Sequence, residues 1–317
     1  MKGSEPYRIL LAEPFNDETV EKLRKFGEVI LLPDSAPETM LREIPTAHAI
    51  LVRLKAHVTA RIIEAAPLLK VIGRASPTID HIDLKAARKR SIPVVYCPTA
   101  AVNSTAEFAF ALILAARRRL LFFDTQIRDG RFENVRQIPC RAMNSCVVGL
   151  LGTDLCAARL ARIITASFGS TILYHDPIDQ PKDFPGQSVT FAELLARSDV
   201  LSVHLPLTTA TRAIINADRL ASMKRESVLV NVTRGATVDT TALADALKRG
   251  VIAGAALDVF ETEPIPLHHP LRRSPNCVLT PHVAGMTQEA LDERCSVADD
   301  VIRVLQGEAP KYSVGSV

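Results

Sequence analysis

The 317-residue chain contains no tryptophan, and aromatic residues make up only 5% of it. A basic stripe interleaved with aromatics, the mark of a nucleic-acid surface, is missing, so no nucleic-acid partner is expected. Charge of either sign is not in excess, the formal balance being +3. The run Arg117-Arg118-Arg119 follows an apolar helical stretch and suits a helix C-terminus, where cations are favoured. No apolar run approaches the roughly 20 residues of a membrane span. The start, Met1 to Pro6, lacks the apolar core of a secretory signal. The expectation is a cytoplasmic protein with no membrane partner. None of the six cysteines is spaced as C-x-x-C, which removes the usual zinc and redox motifs, and most sit in apolar surroundings as buried free thiols. His268 and His269 have no ligand partners at metal spacing, so no metal is expected. Repeats of 20–50 residues and low-complexity tracts are also missing.

What the chain has is alternation. Hydrophobic residues form 47% of it, enough for two cores, and its length suits two domains. Short apolar runs such as Arg8–Leu11, Val29–Leu32, Ala49–Val52, Val71–Gly73 and Pro93–Val95 are separated by helical patterns. A long helix over Ser104–Leu121, buried on most sides, follows them. Next comes a polar, irregular stretch from Asp124 to Cys146. A second series then begins, with strands at Cys146–Leu151, Thr171–Tyr174, Val200–Val203, Ser227–Val232, Ala253–Leu257 and Asn276–Leu279. A last long helix, Gln288–Leu305, is placed to pack back on the first domain. Strand–helix alternation of this kind argues for parallel sheets with helices on both faces.

Val147-Val148-Gly149-Leu150-Leu151-Gly152-Thr153-Asp154-Leu155-Cys156-Ala157 follows a strand and opens a helix, the setting of a dinucleotide phosphate loop. Such a loop wants glycine for a tight turn, for close approach to pyrophosphate, and for close helix packing. Gly152 meets the first need and Ala157 can meet the third. Asp154 occupies the second place and brings a side chain and a negative charge. Thr153 or Asp154 is expected to cap the helix. Asp176 ends the next strand, roughly 20 residues on, where a carboxylate accepts ribose hydroxyls and disfavours a 2′-phosphate. That favours NAD over NADP.

Three later loops each follow a strand and carry one reactive residue: Asn231-Val232-Thr233-Arg234-Gly235, Leu257-Asp258-Val259-Phe260-Glu261-Thr262-Glu263-Pro264, and Leu279-Thr280-Pro281-His282-Val283-Ala284-Gly285. Ligands gather at the carboxyl ends of parallel strands, so one cleft can receive all three. With His204-Leu205-Pro206-Leu207-Thr208, these stretches resemble the D-isomer-specific 2-hydroxyacid dehydrogenase family over nearly the whole chain.

The resemblance implies two Rossmann-like or flavodoxin-like parallel-sheet domains. The substrate domain is discontinuous (1–100 plus 287–317), with the NAD-binding domain (101–286) inserted. It implies an NAD-dependent oxidoreductase interconverting a 2-keto acid and a D-2-hydroxy acid, and a homodimer formed through the nucleotide domains, with the Ser104–Leu121 helix as a candidate contact. Arg234 would hold the substrate carboxylate and keto oxygen, a task that suits a guanidinium fork. His282 would exchange the proton at the keto oxygen, and Glu263 would support its charged form. Asp258 would contact the nicotinamide amide. Gly152, Leu155, Cys156, Asp176, Pro206, Val232, Thr233, Arg234, His282 and Gly285 would line the cofactor; Arg53, Pro77, Thr78 and Arg234 would meet the substrate.

The chain departs from the family in its substrate loops. Pro77, which has no N–H, and Thr78 stand in a turn that is usually glycine-rich. Ala101 stands in a stretch that usually carries Gly and Asn. Arg53, Lys55 and Arg74 are cations placed either for an anionic group or as surface charge. With Asp154, these departures support a second expectation, a catalytically weak or inactive member acting as a dinucleotide-sensing or protein-binding module.

Overall fold

A computed structural model describes residues 6–53, 55–179, 181 and 183–314. The extreme amino-terminal stretch weighed above as a signal lies largely outside them. The chain divides into two compact units, Met1–Ala101 with Thr287–Val317, and Val102–Met286.

The first unit holds a six-stranded sheet. Its strands are β1 (Tyr7–Leu11), β2 (Gly27–Leu31), β3 (Ala49–Val52), β4 (Val71–Arg74), β5 (Val94–Tyr96) and, from the end of the chain, β13 (Ser313–Val314). The order is β13-β5-β4-β3-β1-β2, parallel except for β13, which runs antiparallel to β5. This is the flavodoxin-like order with an added edge, and it reverses direction between β1 and β3. All four residues of β3 and of β4 are buried, as strands covered on both faces must be. The C-terminal helix Val297–Leu305 supplies one cover: a Cβ added at Gly73 on β4 would lie 2.7 Å from Val301.

The second unit holds a wholly parallel seven-stranded sheet. Its strands are β6 (Val147–Leu151), β7 (Thr171–His175), β8 (Gln187–Ser188), β9 (Val200–Val203), β10 (Val228–Asn231), β11 (Gly254–Leu257) and β12 (Cys277–Leu279). Their order is β12-β11-β10-β9-β6-β7-β8. This is the doubly wound dinucleotide-binding order, reversing between β6 and β9. Apolar clusters cover the sheet. One includes Ala109, Ile113, Leu150 and Leu160; another includes Leu151, Leu201, Leu229 and Leu243.

Three helical expectations are corrected. The helix expected over Ser104–Leu121 runs from Val102 to Arg117. Arg119 takes the left-handed conformation (φ 52°), and a separate helix, Leu120–Arg128, follows. The first of these buries Ala106, Ala109, Leu112, Ile113 and Ala116, a stripe at helical spacing rather than most of its surface. The stretch expected to be irregular contains Leu120–Arg128 and the short helix Phe132–Val135. The expected Gln288–Leu305 helix is two, Gln288–Cys295 and Val297–Leu305. At the break, the Ser296 hydroxyl donates to the Glu293 carbonyl at 2.7 Å, a local bond that competes with helical continuation.

Among the described residues, no helix is long and apolar enough to cross a membrane, and no group of three or more His, Cys, Asp or Glu is set to hold a metal ion.

Candidate active site

The switch point of the second unit lies where β6 and β9 end. The chain leaves β6 at Gly152 with φ +107°, and a Cβ there would lie 2.4 Å from the His204 carbonyl oxygen. Only glycine permits both the conformation and the approach. Asp154 is the N-cap of helix Leu155–Phe168, its Oδ1 accepting from the Ala157 N–H at 2.7 Å. The cap therefore falls to Asp154 rather than Thr153. Ala157 is fully buried against the sheet, where a small residue is needed. Asp154 Oδ1 also lies 3.5 Å from Nδ1 of the buried His204, whose Nε2 is 2.9 Å from the Ser202 hydroxyl.

Asp176 directly follows β7 and is only 7% exposed. Its Oδ2 accepts from the Thr153 N–H at 2.9 Å and the Thr153 hydroxyl at 2.8 Å. Its Oδ1 accepts from the N–H groups of Ile178 and Asp179 at 2.8 and 3.1 Å. The glycine turn, helix N-terminus and strand-end carboxylate together fit a dinucleotide, while Asp154 is of unfavourable sign for a phosphate. Leu155 and Pro206 are exposed, and Cys156, Thr233 and Gly285 are half-buried. Val232 is buried. Burial, with Asp154 adding to it, pushes the Cys156 thiol up to about 12, so it is neutral.

The three reactive side chains meet in the same unit. Asn231, at the end of β10, is buried. Its amide donates to the Arg234 carbonyl at 3.0 Å and accepts from the Thr233 N–H at 3.1 Å, which folds the chain into the loop that carries Arg234. A Cβ at Gly235 would lie 2.0 Å from the Phe260 carbonyl carbon. The loop after β10 thus lies directly on the loop after β11. Arg234, Glu263 and His282 line one cavity of about 260 Å³.

Glu263 Oε2 stands 2.8 Å from His282 Nδ1, while its Oε1 accepts from the Phe260 N–H at 3.0 Å. One carboxylate is thereby oriented by its own loop and aimed at the imidazole. His282 is half-exposed and has φ +56°, an uncommon conformation for a non-glycine residue. Its N–H is tied to the Asp258 carbonyl at 2.8 Å.

Asp258, expected at the nicotinamide amide, is fully buried, and its carboxylate bonds the His282 loop. Oδ1 accepts from the Thr280 hydroxyl at 2.6 Å and the Val283 N–H at 3.0 Å, and Oδ2 from the Ala284 N–H at 2.8 Å. Its evident work is to hold the turn that presents His282.

The substrate-loop residues lie in the first unit, around the reversal between β1 and β3. Glu13 accepts from the N–H groups of Arg53 and Lys55 at 2.6 and 2.7 Å. The Arg53 guanidinium donates to the Pro14 carbonyl and lies over the Phe15 ring at 5.6 Å. Arg74 is not surface charge. It is 4% exposed and donates to the carbonyls of Arg53 and Thr78, bracing the two loops. The Thr78 N–H in the Pro77 turn is directed at the Ser76 hydroxyl, 3.3 Å away. Beside them, His57 and His81 stack at 4.1 Å. Burial, then Arg74 and His57, hold His81 below the usual imidazole range. Ala101 has φ +65° and donates its N–H to Glu293 at 3.0 Å.

Sequence reasoning assigned no role to Asn231 or Thr280, and it expected of Thr153 a helix cap rather than the bond its hydroxyl makes to Asp176. Asn231 and Thr280 lie inside motifs that were noticed, but Asn231 bonds backbone groups of its own loop and Thr280 bonds the Asp258 carboxylate from another loop, pairings that no spacing rule names.

Residues 110–284 match the model of the D-isomer specific 2-hydroxyacid dehydrogenase NAD-binding domain. A glyoxylate reductase of Thermofilum pendens is 41% identical over 282 residues, covering 86% of this chain and 83% of the relative. A D-3-phosphoglycerate dehydrogenase of Archaeoglobus fulgidus is 37% identical over 307 residues, covering 95% of this chain; the chain spans only 58% of that relative's length. Among solved structures, a glyoxylate reductase from Paecilomyes thermophila superposes with a TM-score of 0.88 at 30% identity, covering 98% of each chain.

Proposed function

The chain belongs to the D-isomer specific 2-hydroxyacid dehydrogenase family, and from that premise we propose that it uses NAD to reduce a small 2-keto acid, with glyoxylate the first candidate, to the D-2-hydroxy acid. The observation that carries this reading is the convergence of Arg234, Glu263 and His282 on one cavity in the unit that also holds the phosphate loop.

The cofactor, when bound, supplies the hydride. The chain supplies the rest. Arg234 pairs with the substrate carboxylate and draws charge from the keto oxygen. Glu263, bonded to Nδ1, keeps that nitrogen protonated and leaves Nε2 of His282 to give its proton to the oxygen as it becomes a hydroxyl. In oxidation the same nitrogen takes the proton back. Asp258 holds the His282 turn in place.

Asp176 supports NAD over NADP, because a 2′-phosphate would meet a carboxylate at the end of β7. Glyoxylate is the first candidate because a glyoxylate reductase is 41% identical to the chain over 282 residues. The inactive alternative has no support from these relatives. Turnover of glyoxylate with NADH and with NADPH tests the reading. NADH should be preferred at least tenfold in kcat/KM; equal use of both, or no turnover with either, contradicts it.

The site of action is taken to be the cytoplasm and the working form a homodimer. The exposed apolar side chains of Leu120 (60%), Leu121, Ile127 and Phe132 (55%) support a second copy docking along helix Leu120–Arg128. Light scattering should give twice the chain mass; a monomer at micromolar concentration removes the dimer.

A further inference from the structure

We infer that Thr153 gates the ribose acceptor Asp176, so that this hydroxyl sets the affinity of the chain for the adenosine-ribose half of its cofactor. The inference rests on the dinucleotide reading above and adds to it a residue that competes with the ligand.

A carboxylate offers about four lone-pair sites. Among the described residues, Asp176 accepts from at least four donors: the N–H and hydroxyl of Thr153 on Oδ2, and the N–H groups of Ile178 and Asp179 on Oδ1. A ribose diol binding at this carboxylate needs an acceptor. Three of these are backbone groups in the turn after β6 and the turn after β7. The fourth, the Thr153 hydroxyl, hangs on a rotatable bond.

It also has somewhere to go. The Asp179 carbonyl oxygen lies 3.5 Å from Thr153 Oγ1, at the edge of hydrogen-bonding distance, so a small rotation exchanges one acceptor for another. The exchange replaces a charge-assisted bond with a neutral one, which is a net loss. That loss is charged against every ligand that seats a ribose on Asp176, and against no ligand that does not. The neighbouring cap follows the same pattern. Asp154 already accepts the Ala157 N–H, so the helix N-terminus also has a protein group in a place a cofactor phosphate would seek. Side chains of the phosphate loop itself thus bond the groups that a dinucleotide would seek.

Thr153→Ala removes the hydroxyl and keeps the Thr153 N–H bond to Oδ2; Thr153→Ser keeps both. Calorimetric titration of the whole protein with NADH, ADP-ribose and the reduced mononucleotide NMNH reads the effect. NADH and ADP-ribose should bind Thr153→Ala about three to ten times more tightly than wild type. Thr153→Ser should match wild type, and NMNH, which lacks the adenosine ribose, should bind all three alike. Equal or weaker ADP-ribose binding by Thr153→Ala, with wild type still binding NADH, overturns the gate and leaves the dinucleotide reading standing. Failure of wild type and Thr153→Ala alike to bind NADH or ADP-ribose overturns both.

Discussion

At the scale of single residues, the site is assembled by groups that satisfy the backbone as well as by groups that face the cavity. Glu263 spends one oxygen on Phe260 and the other on His282. Asn231 shapes the Arg234 loop and Asp258 the His282 turn. Ala101 shows the opposite situation, a side chain in a conformation that suits glycine. The left-handed region costs an L-residue roughly 1–2 kcal/mol, partly offset in glycine by its greater chain entropy. Ala101→Gly should therefore stabilise the protein by about 0.5–1 kcal/mol in urea unfolding; destabilisation would mean that the alanine methyl makes a compensating contact. The residues Arg234, Glu263 and His282 were legible in the sequence because each follows its strand within a distinctive run. The burial of Arg74 and the inward turn of Asp258 were not. Both depend on backbone carbonyls and N–H groups brought in by other loops, such as Arg53 and Ala284, which leave no mark in residue type.

At the scale of elements, the alternation of apolar runs announced most of the strands, because strands buried on both faces read as continuous hydrophobic stretches. The two-residue strands β8 and β13 carry no such run, and neither helix break falls at a glycine or proline. Arg119 and Ser296 interrupt their helices through local geometry that composition does not reveal. The start of the central strands is fastened by Asp199, just before β9. It accepts from the Val147 N–H at 2.8 Å, at the start of β6, and from Lys224 at 2.9 Å. Burial raises the Asp199 carboxyl, but the Val147 and Lys224 bonds outweigh it and hold the group below the usual carboxylate range. A group depressed on folding adds stability above its unfolded pKa and loses that stability as pH falls through its folded value. Asp199→Asn should cost about 1 kcal/mol at neutral pH. The gap between wild type and variant should close in acid, once Asp199 is itself protonated. A gap that is constant from neutral pH to pH 3 would show that the carboxylate charge does not fasten the strands.

At the scale of the whole molecule, the chain spends its length on two parallel sheets with different strand orders, each reversing once. In both, loops meet at the reversal: Glu13 and Arg53 after β1 and β3, Gly152 and His204 after β6 and β9. The orders themselves were not readable from the alternation, which is the same for either; the resemblance to a known family supplied them. The phosphate loop and the Arg234–Glu263–His282 group belong to one unit, so their relation to each other is built into a single sheet.

The central claim is that His282 moves the proton that accompanies hydride transfer. The most direct measurement is the steady-state rate of NADH oxidation by glyoxylate for wild type and His282→Ala, with NADH affinity titrated for both. The account predicts a fall in turnover of about 100-fold or more, with NADH affinity nearly unchanged. Turnover preserved in the variant would contradict it.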